Sequence, residues 1–363
     1  MQSFKSKQTF TKGLLGWFEN NDRPLPWKGE KNPYYVWLSE IILQQTRVAQ
    51  GLPYFEKFKE TFPSITDLAN ASEDQVLKLW QGLGYYSRAR NLHATAKYIA
   101  YQLDGVFPNT YQEILALKGV GPYTAAAIAS FAFDLPHAVV DGNVYRVLSR
   151  YFGIQTAIDS TEGKKEFRHL ANSLLEAKQA ATYNQAIMDF GATQCTSSNP
   201  KCKSCPLHIS CLGYQKKMTD RLPYKLKKIK KRLRYFNYLV FKSKDALLLH
   251  KRTRKDIWNH LHEFPLIESS SLLNQQELIE NEIFSQLLDS ETSFELLRAS
   301  KPYQQVLTHQ KIIAVFWEFS LHSLPIHNDF GFFEVKQKNI NNFAFPKIID
   351  WYLKDKSLYL KLF

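Results

Sequence analysis

The stretch Leu117–Phe133 reads LKGVGPYTAAAIASFAF and joins two predicted helices through a short turn that contains two glycines. Apolar spacing predicts a first helix from Gln112 to Leu117, and a second helix begins at Pro122, where the missing N–H of proline costs no hydrogen bond. Such a turn leaves N–H groups at a helix N-terminus, an arrangement that binds phosphate. We therefore predict a helical hairpin with a phosphate site, the alternative being a purely structural turn; the site would comprise Gly119, Val120 and Gly121.

An acidic residue precedes this hairpin on a predicted helix that runs through Val36 to Val48. Glu40 has Val36, Trp37 and Leu43 as its i−4, i−3 and i+3 neighbours, so it lies on an apolar helix face. Burial disfavours the charged form of a carboxyl group and raises its pKa, which suits an acid that delivers a proton near neutral pH. The alternative is a solvated helix residue.

A second acidic residue follows the hairpin in the sequence Val139-Val140-Asp141-Gly142-Asn143-Val144, at the predicted start of the next helix. Asp141 could be an ordinary N-cap or a functional carboxylate, or both. A cap position accepts backbone N–H groups, and we expect it to keep this carboxylate ionised.

The four cysteines of the chain fall within one short stretch with the spacing C-x6-C-x2-C-x5-C. A disulfide framework is typical of small secreted domains, and the polar opening MQSFKSKQTFTKG carries no secretory signal. Structural zinc usually takes two C-x2-C pairs, whereas only one such pair is present. We predict a 4Fe-4S cluster, with zinc and a set of buried thiols as alternatives; the ligands would be Cys195, Cys202, Cys205 and Cys211.

Composition favours a cytoplasmic protein that contacts nucleic acid. The 363 residues include 47 Lys and Arg against 34 Asp and Glu, a net charge of +13 that attracts polyanions. The longest apolar stretch, Ala125 to Phe133, is far shorter than the roughly 20 residues needed to span a bilayer. Charge alone is a weak indication, because many soluble proteins are basic.

A basic segment from Tyr214 to Arg234 divides the chain, with ten Lys or Arg against one acid, Asp220. Before it the apolar spacing is helical, and after it come runs typical of strands, with a helical interlude around Gln275 to Leu288. We predict an all-α core over residues 1–213, a basic linker over 214–234 and an α+β domain over 235–363. The linker is either a solvated tether or a set of phosphate contacts.

The order of these motifs carries a family resemblance. LKGVGPYT, then VVDGNVYRVLSR, then the cysteine loop resemble the helix-hairpin-helix DNA glycosylases with an iron-sulfur loop. Within that superfamily, LSEIILQQTRV, LGYYSRARNLH and NQAIMDFGATQC resemble the adenine DNA glycosylase (MutY) family, from about Trp17 to the C-terminus. The resemblance implies two helical subdomains, a barrel over 30–138 that carries the hairpin and an iron-sulfur subdomain over 1–29 plus 139–213.

The resemblance also implies an activity. Such an enzyme removes adenine mispaired with 8-oxoguanine or guanine from double-stranded DNA, acts as a monomer and carries a 4Fe-4S cluster. Breaking an N-glycosidic bond needs an acid and a stabilising anion, roles that fit Glu40 and Asp141, with Asn143 beside the latter. Tyr123 stands where the similar endonuclease III family has an attacking lysine, so base removal without efficient strand cleavage is expected.

Further residues follow from the need to extrude the target nucleotide. The resemblance implies that Gln45 and Tyr85 enter the duplex, although Tyr85, like Trp27, could instead be a core aromatic residue. It also implies that the base pocket is lined by Trp27, Lys28 and Gln185. Arg47, Arg88 and Arg90 are candidate phosphate contacts.

The part of the chain after about Phe236 resembles the Nudix-like domain of this family. The metal-binding R-E-x-x-E-E core of Nudix hydrolases is absent, so we expect a binding domain. Leu307, Thr308 and His309 stand where the family carries a Phe-Ser-His motif that inspects 8-oxoguanine. Thr308 keeps the hydroxyl group, whereas Leu307 lacks the aromatic wedge.

Two other functions fit parts of this pattern. An endonuclease III-like pyrimidine glycosylase with lyase activity is disfavoured by Tyr123 and by the long C-terminal part. A non-enzymatic iron-sulfur protein that binds DNA would not require Glu40 and Asp141 at these places.

Overall fold

The computed structural model describes residues 2–21, 23–226, 230–288, 292–324 and 331–359, and the side chains among residues 6–355 of these. Up to residue 215 every regular element described is helical. No described helix is long and apolar enough to cross a membrane. The α-helices are α1 (Gln2–Glu19), α2 (Pro33–Leu43), α3 (Val48–Thr61), α4 (Ile65–Asn70), α5 (Glu73–Leu79), α6 (Ser87–Gln102), α7 (Tyr111–Ala116), α8 (Pro122–Phe133), α9 (Gly142–Phe152), α10 (Thr161–Leu174), α11 (Ala180–Thr193) and α12 (Leu212–Gln215).

The later part of the chain forms a mixed sheet with three helices. Strands β1 and β7 are parallel and central, and the other pairings are antiparallel, with the order β3-β2-β1-β7-β5; β4 also pairs with β1, β6 with β7 and β8 with β2. The elements are β1 (Arg232–Ser243), β2 (Ala246–Lys251), β3 (His262–Glu263), β4 (Leu266–Ser269), α13 (Gln275–Ile279), α14 (Glu282–Leu287), β5 (Phe294–Ala299), β6 (Tyr303–Val306), β7 (Gln310–Leu321), β8 (Phe332–Lys336) and α15 (Lys347–Tyr359). The predicted all-α part followed by an α+β part is confirmed, and the helical interlude is the pair α13 and α14.

The chain forms two compact units whose boundaries differ from the predicted ones. A helical unit comprises residues 1–70 and 91–228, and a sheet unit comprises residues 71–90 and 229–363. The segment Ala71–Arg90 joins the sheet unit because its polar groups bond there: Lys251 Nζ lies 2.8 Å from an oxygen of Asp74, and Tyr86 Oη donates to the carbonyl of Phe345. Sequence patterning did not anticipate this grouping, since α5 has an ordinary helical spacing.

Each unit has its own hydrophobic core. In the helical unit, α1, α8, α9, α10 and α11 meet around fully buried residues such as Phe10, Val144 and Phe167. In the sheet unit, β1, β2 and β7 pack on α13 and α14 through residues such as Phe241 and Phe284. Burial of large side chains on this scale is the dominant stabilising contribution in either unit.

The hairpin forms where the sequence predicts it, between α7 and α8. Gly119 has a φ of 82°, in the left-handed region, and a Cβ added there would stand 2.7 Å from the Cβ of Asn91. Only glycine meets both conditions without strain. Thr95 Oγ1 donates to the carbonyl of Lys118 at 2.9 Å and anchors the turn to α6.

The helix predicted through Val36 to Val48 is in fact two helices. Helix α2 ends at Leu43 and α3 begins at Val48, with Gln45 between them at a φ of 56°. Gln44 Nε2 donates to Thr124 Oγ1 at 3.1 Å, a contact with α8 that holds the turn. Tertiary contact therefore overrides a helical pattern that the local sequence would support.

Much of the basic segment is packed on the helical unit and is not a free tether. Arg150 Nε donates to the carbonyl of Leu222, and the carbonyl of Tyr224 accepts the N–H of Ile158 at 3.0 Å. Lys227 and Lys228 lie outside the described residues. Arg234 is no phosphate contact, because its buried guanidinium pairs with Asp256 and Glu268.

Candidate active site

Glu40 lies on α2 and is buried, with 7 % of its surface exposed. Burial raises the pKa of its carboxyl group to about 7; a hydrogen bond with Tyr123 lowers this pKa, and the charge of Asp141 raises it. The apolar helix face predicted from the neighbours of Glu40 is therefore present. Near neutral pH a substantial fraction of this side chain is therefore protonated, whereas an ordinary glutamate would be ionised.

Asp141 is the N-cap of α9, as its position in the sequence suggested. Its Oδ1 accepts the N–H of Val144 at 2.8 Å, and its Oδ2 accepts Asn143 Nδ2 at 2.8 Å. The expectation that the cap position keeps this carboxylate ionised stays a prediction. Burial raises the pKa of Asp141, and the hydrogen bonds from Val144 and Asn143 and the charge of Arg146 oppose that rise without cancelling it.

Tyr123 stands in the first turn of α8, next to both carboxyl groups. Its hydroxyl lies 3.4 Å from the sulfur of Met188. Burial, the charge of Glu40 and the charge of Asp141 all raise the pKa of Tyr123 well above its ordinary value. The phenol thus stays neutral and can donate a hydrogen bond to either carboxylate.

One pocket of about 760 Å³ in the helical unit brings the predicted catalytic and base-pocket residues together. Trp27, with its ring 5.4 Å from that of Phe55, lines one side, and Gln185 on α11 lines another. The pocket is large enough for a purine base, and polar groups converge on it. The predicted residues that line it are Trp27, Lys28, Glu40, Gln45, Tyr123, Asp141, Asn143 and Gln185.

Both residues predicted to enter the duplex have strained backbones. Gln45 has a φ of 56° and Tyr85 a φ of 48°, and both side chains are exposed. Non-glycine residues in this region store strain of the order of 1–3 kcal/mol, and they cluster at functional sites. Arg47, the N-cap residue of α3, is exposed as a phosphate contact requires.

Arg88 does not have the exposure that a phosphate contact needs. It is 8 % exposed, its guanidinium lies 5.0 Å from the centre of the Trp80 ring, and Nη2 donates to the carbonyl of Gly84. Burial lowers its pKa to about 10. Arg88 instead supports the turn that carries Tyr85. Arg90 is half-buried and donates from Nη1 to the carbonyl of Asn259 at 2.6 Å.

The hairpin turn offers two of its three predicted N–H groups. The N–H of Val120 donates to the carbonyl of Leu117 at 3.1 Å, and its side chain is buried, so this residue is structural. The described residues provide no backbone acceptor for the N–H groups of Gly119 and Gly121. These two groups, with exposed Lys118, remain available to an anion.

The four cysteines line one pocket in the helical unit and form no disulfide. Arg150 Nη1 lies 3.4 Å from the sulfur of Cys195, and the thiol of Cys211 donates to the carbonyl of Arg150. Burial raises the pKa of Cys205 to about 11, and the neighbouring thiols add to this effect. In the described residues, no group of three or more Cys, His, Asp or Glu is arranged to hold a single metal ion.

In the sheet unit the predicted lesion loop is the turn between β6 and β7. The N–H of Leu307 donates to the carbonyl of Gln310 at 2.8 Å, which closes the turn and leaves His309 exposed. The hydroxyl groups of Thr308 and Tyr85 are in direct hydrogen-bond contact. The structure thus unites two residues that the sequence separates by 223 positions.

Sequence analysis missed a half-buried arginine, Arg146, that connects Asp141 to the cysteine loop through Asn143. Arg146 donates to Asn143 Oδ1 at 2.8 Å and to the carbonyl of Cys195 at 2.8 Å, while Asn143 donates to Asp141. A signal was present, because Arg146 lies one helical turn after Asn143 in VVDGNVYRVLSR. It also missed Arg23 and Asp189, which line the same pocket as Glu40.

Comparisons with known proteins agree with this geometry. Residues 38–176 match the family described as HhH-GPD superfamily base excision DNA repair protein. The adenine DNA glycosylase of Buchnera aphidicola subsp. Baizongia pistaciae is 37 % identical over 303 residues, which cover 83 % of this chain and 83 % of the relative. The mouse adenine DNA glycosylase is 40 % identical over 222 residues, which cover 59 % of this chain and 43 % of the relative.

Solved structures show the same fold for the helical part. A thermostable thymine-DNA glycosylase superposes with a TM-score of 0.56 at 28 % identity, covering 60 % of this chain and all of that one. An endonuclease III in a non-covalent complex with DNA superposes with a TM-score of 0.52 at 22 % identity, covering 58 % of this chain and 98 % of that one. The helical unit therefore has an endonuclease III-like fold.

Proposed function

The chain belongs to the adenine DNA glycosylase family, and from that premise we propose that it removes adenine mispaired with 8-oxoguanine or guanine in double-stranded DNA. It is a DNA glycosylase of base excision repair and hydrolyses an N-glycosyl bond. The observation that carries the proposal is the buried Glu40, which lines one pocket with Tyr123 and Asp141. Burial raises the pKa of its carboxyl group to about 7. We further propose that the enzyme acts as a monomer in the cytoplasm.

The reaction follows from the ionisation of the two carboxyl groups. Glu40 gives its proton to a ring nitrogen of adenine, so that the bond from the base to the sugar carbon breaks and the base leaves uncharged. The sugar develops positive charge, and the ionised Asp141 stabilises it, while Asn143 holds that carboxylate in place. Water adds its oxygen to the sugar carbon and releases a proton, which restores Glu40.

The position of Tyr123 supports base removal without strand cleavage. An amine at this place would attack the sugar carbon and remain bonded to it as a Schiff base, which leads to strand scission. Tyr123 has no such nitrogen, and its raised pKa keeps the phenol protonated. Its hydroxyl therefore orients the carboxyl groups, and water is the nucleophile.

We place the DNA along the exposed turns of the helical unit. The N–H groups of Gly119 and Gly121, for which the described residues provide no acceptor, and the exposed Arg47 suit backbone phosphates. Gln45 is exposed, has a strained backbone and lines the pocket, so it suits a residue that fills the gap left by an extruded nucleotide. Trp27, Lys28 and Gln185 would then surround the extruded adenine.

The rate of excision should depend on pH with a bell shape. It falls as the pH rises through about 7, because Glu40 loses the proton that it must deliver. It also falls in acid, because Asp141 gains a proton, and its pKa lies above the ordinary value of 3.8. Single-turnover rates on a duplex with adenine opposite 8-oxoguanine, taken from about pH 5 to 9, measure both limbs. A rate that continues to rise above pH 8 would assign the acid to another group.

For the cysteine pocket we propose a 4Fe-4S cluster. Four thiols line one pocket, and the cations of Arg146 and Arg150 lie beside Cys195, where they would compensate the negative charge of a thiolate-bound cluster. When bound, the cluster would tie the loop from Cys195 to Cys211 to the helices. Zinc is the alternative ligand for the same four thiolates.

A brown protein is the expected result of purification under anaerobic conditions. Thiolate-to-iron charge transfer gives broad absorbance at the border of the visible and ultraviolet ranges, and about four iron atoms per chain should be found. Absorbance spectra detect the charge-transfer band, and elemental analysis of the same sample counts the iron and zinc atoms per chain. A colourless, fully active protein with stoichiometric zinc would refute the cluster.

For the sheet unit we propose that the turn Leu307–His309 inspects the base opposite adenine. Adenine is an undamaged base, so specificity requires a second reading surface. The hydroxyl of Thr308 is already in contact with that of Tyr85, a residue that is 44 % exposed. A hydroxyl pair at an exposed turn offers both donor and acceptor capacity to the polar edge of 8-oxoguanine.

Replacement of Thr308 and His309 by alanine should reduce the preference for 8-oxoguanine over guanine by roughly tenfold or more, because each well-placed polar contact contributes about 1–3 kcal/mol of discrimination. Single-turnover rates on the two duplexes give the ratio. Substitution is a cleaner test than truncation of the chain. A truncation that removes the C-terminal part of the sheet unit would leave the segment Ala71–Arg90 without the rest of its unit. An unchanged ratio would mean that this turn does not read the lesion.

One panel of duplexes tests the proposed function as a whole. We expect excision from adenine opposite 8-oxoguanine and opposite guanine, with strand breaks only after alkali treatment. Cleavage of thymine glycol duplexes without alkali would indicate the endonuclease III-like alternative. Tight duplex binding with no release of any base would indicate the non-enzymatic alternative.

A further inference from the structure

A further buried acid lies in the wall of the pocket that Glu40 lines and takes no part in the steps above. Asp189 on α11 is 1 % exposed. Its Oδ1 accepts Arg23 Nη1 at 3.2 Å, and its Oδ2 lies 3.6 Å from Lys28 Nζ. In the part of the chain that the structure describes, Oδ2 has no hydrogen-bond partner. A carboxylate buried to this extent persists because neighbouring cations compensate its charge.

Asp189 belongs to a rigid part of the helical unit. Two residues further along α11, Gly191 lies so close to α9 that an added Cβ would stand 2.6 Å from the Cβ of Asn143. Asn143 in turn holds the carboxylate of Asp141. Backbone packing therefore fixes the carboxylate of Asp189 relative to the catalytic residues.

The segment that carries the two cations is a loop, so its position depends on turn hydrogen bonds and on side-chain contacts such as that of Trp27 with Phe55. Between α1 and α2 the described residues form turns, with hydrogen bonds from Lys28 N–H to the carbonyl of Leu25 and from Glu30 N–H to the carbonyl of Trp27. Its side-chain contacts with the helices include the two cations on Asp189 and an exposed pair, Lys31 with Asp134 at 2.6 Å. Trp27, which lines the pocket, stands between Arg23 and Lys28.

We propose that Asp189 is a positioning residue: its buried carboxylate binds Arg23 and Lys28, and so fixes the pocket wall that Trp27 and Lys28 form. This inference rests on the proposed role of that wall in holding the extruded adenine. Each carboxylate oxygen of Asp189 faces one cation, and these two cations, Arg23 and Lys28, flank Trp27 in the sequence. Without this anchor the tryptophan ring and the lysine would lose their fixed position relative to Glu40, which lines the same pocket.

The test replaces Asp189 by asparagine, which keeps the shape of the side chain and removes its charge. We expect Asp189→Asn to lower the single-turnover rate of adenine excision by about tenfold or more, because small displacements of positioned groups have effects of this size. Duplex affinity should change by less than about threefold, since no phosphate contact is removed. Trypsin should cleave faster after Lys28, because the segment is no longer anchored.

Asp134→Asn is the matched control, because Asp134, at the end of α8, pairs with Lys31 on the same segment. It removes an ion pair whose partners are both largely exposed, at 54 % and 67 %, so the rate and the cleavage after Lys28 should stay within about twofold of the parent protein. Arg23→Gln is the second variant, for the case in which Asp189→Asn fails to fold. It breaks the same anchor from the exposed side, and it too should accelerate the cleavage after Lys28.

Trp27→Ala separates the two levels of the inference. If Trp27→Ala excises adenine at the parent rate, the pocket assignment is wrong. If Trp27→Ala is slow but Asp189→Asn keeps both the parent rate and the parent cleavage pattern, Asp189 is not the anchor. The same conclusion follows from Arg23→Gln if Asp189→Asn does not fold. A lower melting temperature with an unchanged rate of the folded protein would likewise reduce Asp189 to a structural residue.

Discussion

Glu40→Gln is expected to lower the single-turnover rate of adenine excision by about 10³-fold, because general acid catalysis contributes roughly 10² to 10⁴ to such reactions. Glutamine has the shape of a protonated glutamate and can accept the hydrogen bond of Tyr123, but it has no proton to give. Single-turnover incubation with adenine opposite 8-oxoguanine measures the loss. Duplex affinity should stay within about threefold, since Glu40 is buried and contacts no phosphate.

The stability of the Glu40→Gln protein provides the control. The folded-state pKa of Glu40 lies above its ordinary value of 4.5, so the parent protein loses stability as the pH rises from about 4.5 to 7, where the buried group must ionise. The variant lacks this loss and should be at least as stable as the parent above pH 7. Parallel loss of binding, folding and activity would contradict the role of Glu40 as a proton donor.

Asp141→Asn is expected to lower the same rate by about 10² to 10³-fold, the range found when one stabilising group is removed from a developing charge. Asparagine caps helices about as well as aspartate, so its carbonyl oxygen can still accept the N–H of Val144. The hydrogen bond from Asn143 is lost, at a cost of about 1 kcal/mol. The helix should remain folded, while the sugar cation loses its counter-charge.

Thermal unfolding and the rate together identify which role dominates for Asp141. We expect a melting temperature within a few degrees of the parent, alongside the large loss of rate. If the variant unfolds at a much lower temperature but excises adenine at the parent rate when folded, Asp141 is only a cap. This comparison therefore decides whether Asp141 is an N-cap, a functional carboxylate or both.

Some of this site could be predicted because its determinants are local. The burial of Glu40 follows from apolar residues one turn away on the same helix, and the capping role of Asp141 follows from its place before a helical pattern. The hairpin follows from glycines whose backbone freedom the turn requires. In each case the residues that create the feature lie within about four positions of it.

Other features depend on contacts that the sequence does not bring together. The break between α2 and α3 rests on a contact of Gln44 with Thr124, and the apolar pattern by itself continues across it. Arg23 and Asp189 are 166 residues apart, so no local pattern pairs them. Asp189 did carry one usable signal, since it follows Gln185 by one turn on the same helix face.

Burial also reverses roles that charge alone suggests. Arg88 resembles a phosphate contact in LGYYSRARNLH, yet it lies over the Trp80 ring, out of solvent. Val120 belongs to the hairpin motif, but its N–H is used within the turn. The grouping of Ala71–Arg90 with the sheet unit has the same origin, because its partners, such as Lys251 and Phe345, are far away in the sequence.

The most direct test of the account is a titration of the Glu40 carboxyl group itself. Protein labelled with ¹³C at the glutamate side-chain carboxyl, compared with the Glu40→Gln variant, gives by difference the resonance of this one group. We predict a midpoint of about 7, which would leave a substantial fraction protonated at neutral pH. A midpoint near the ordinary value of 4.5 would contradict the account, because a carboxylate already ionised at neutral pH could not protonate the departing adenine.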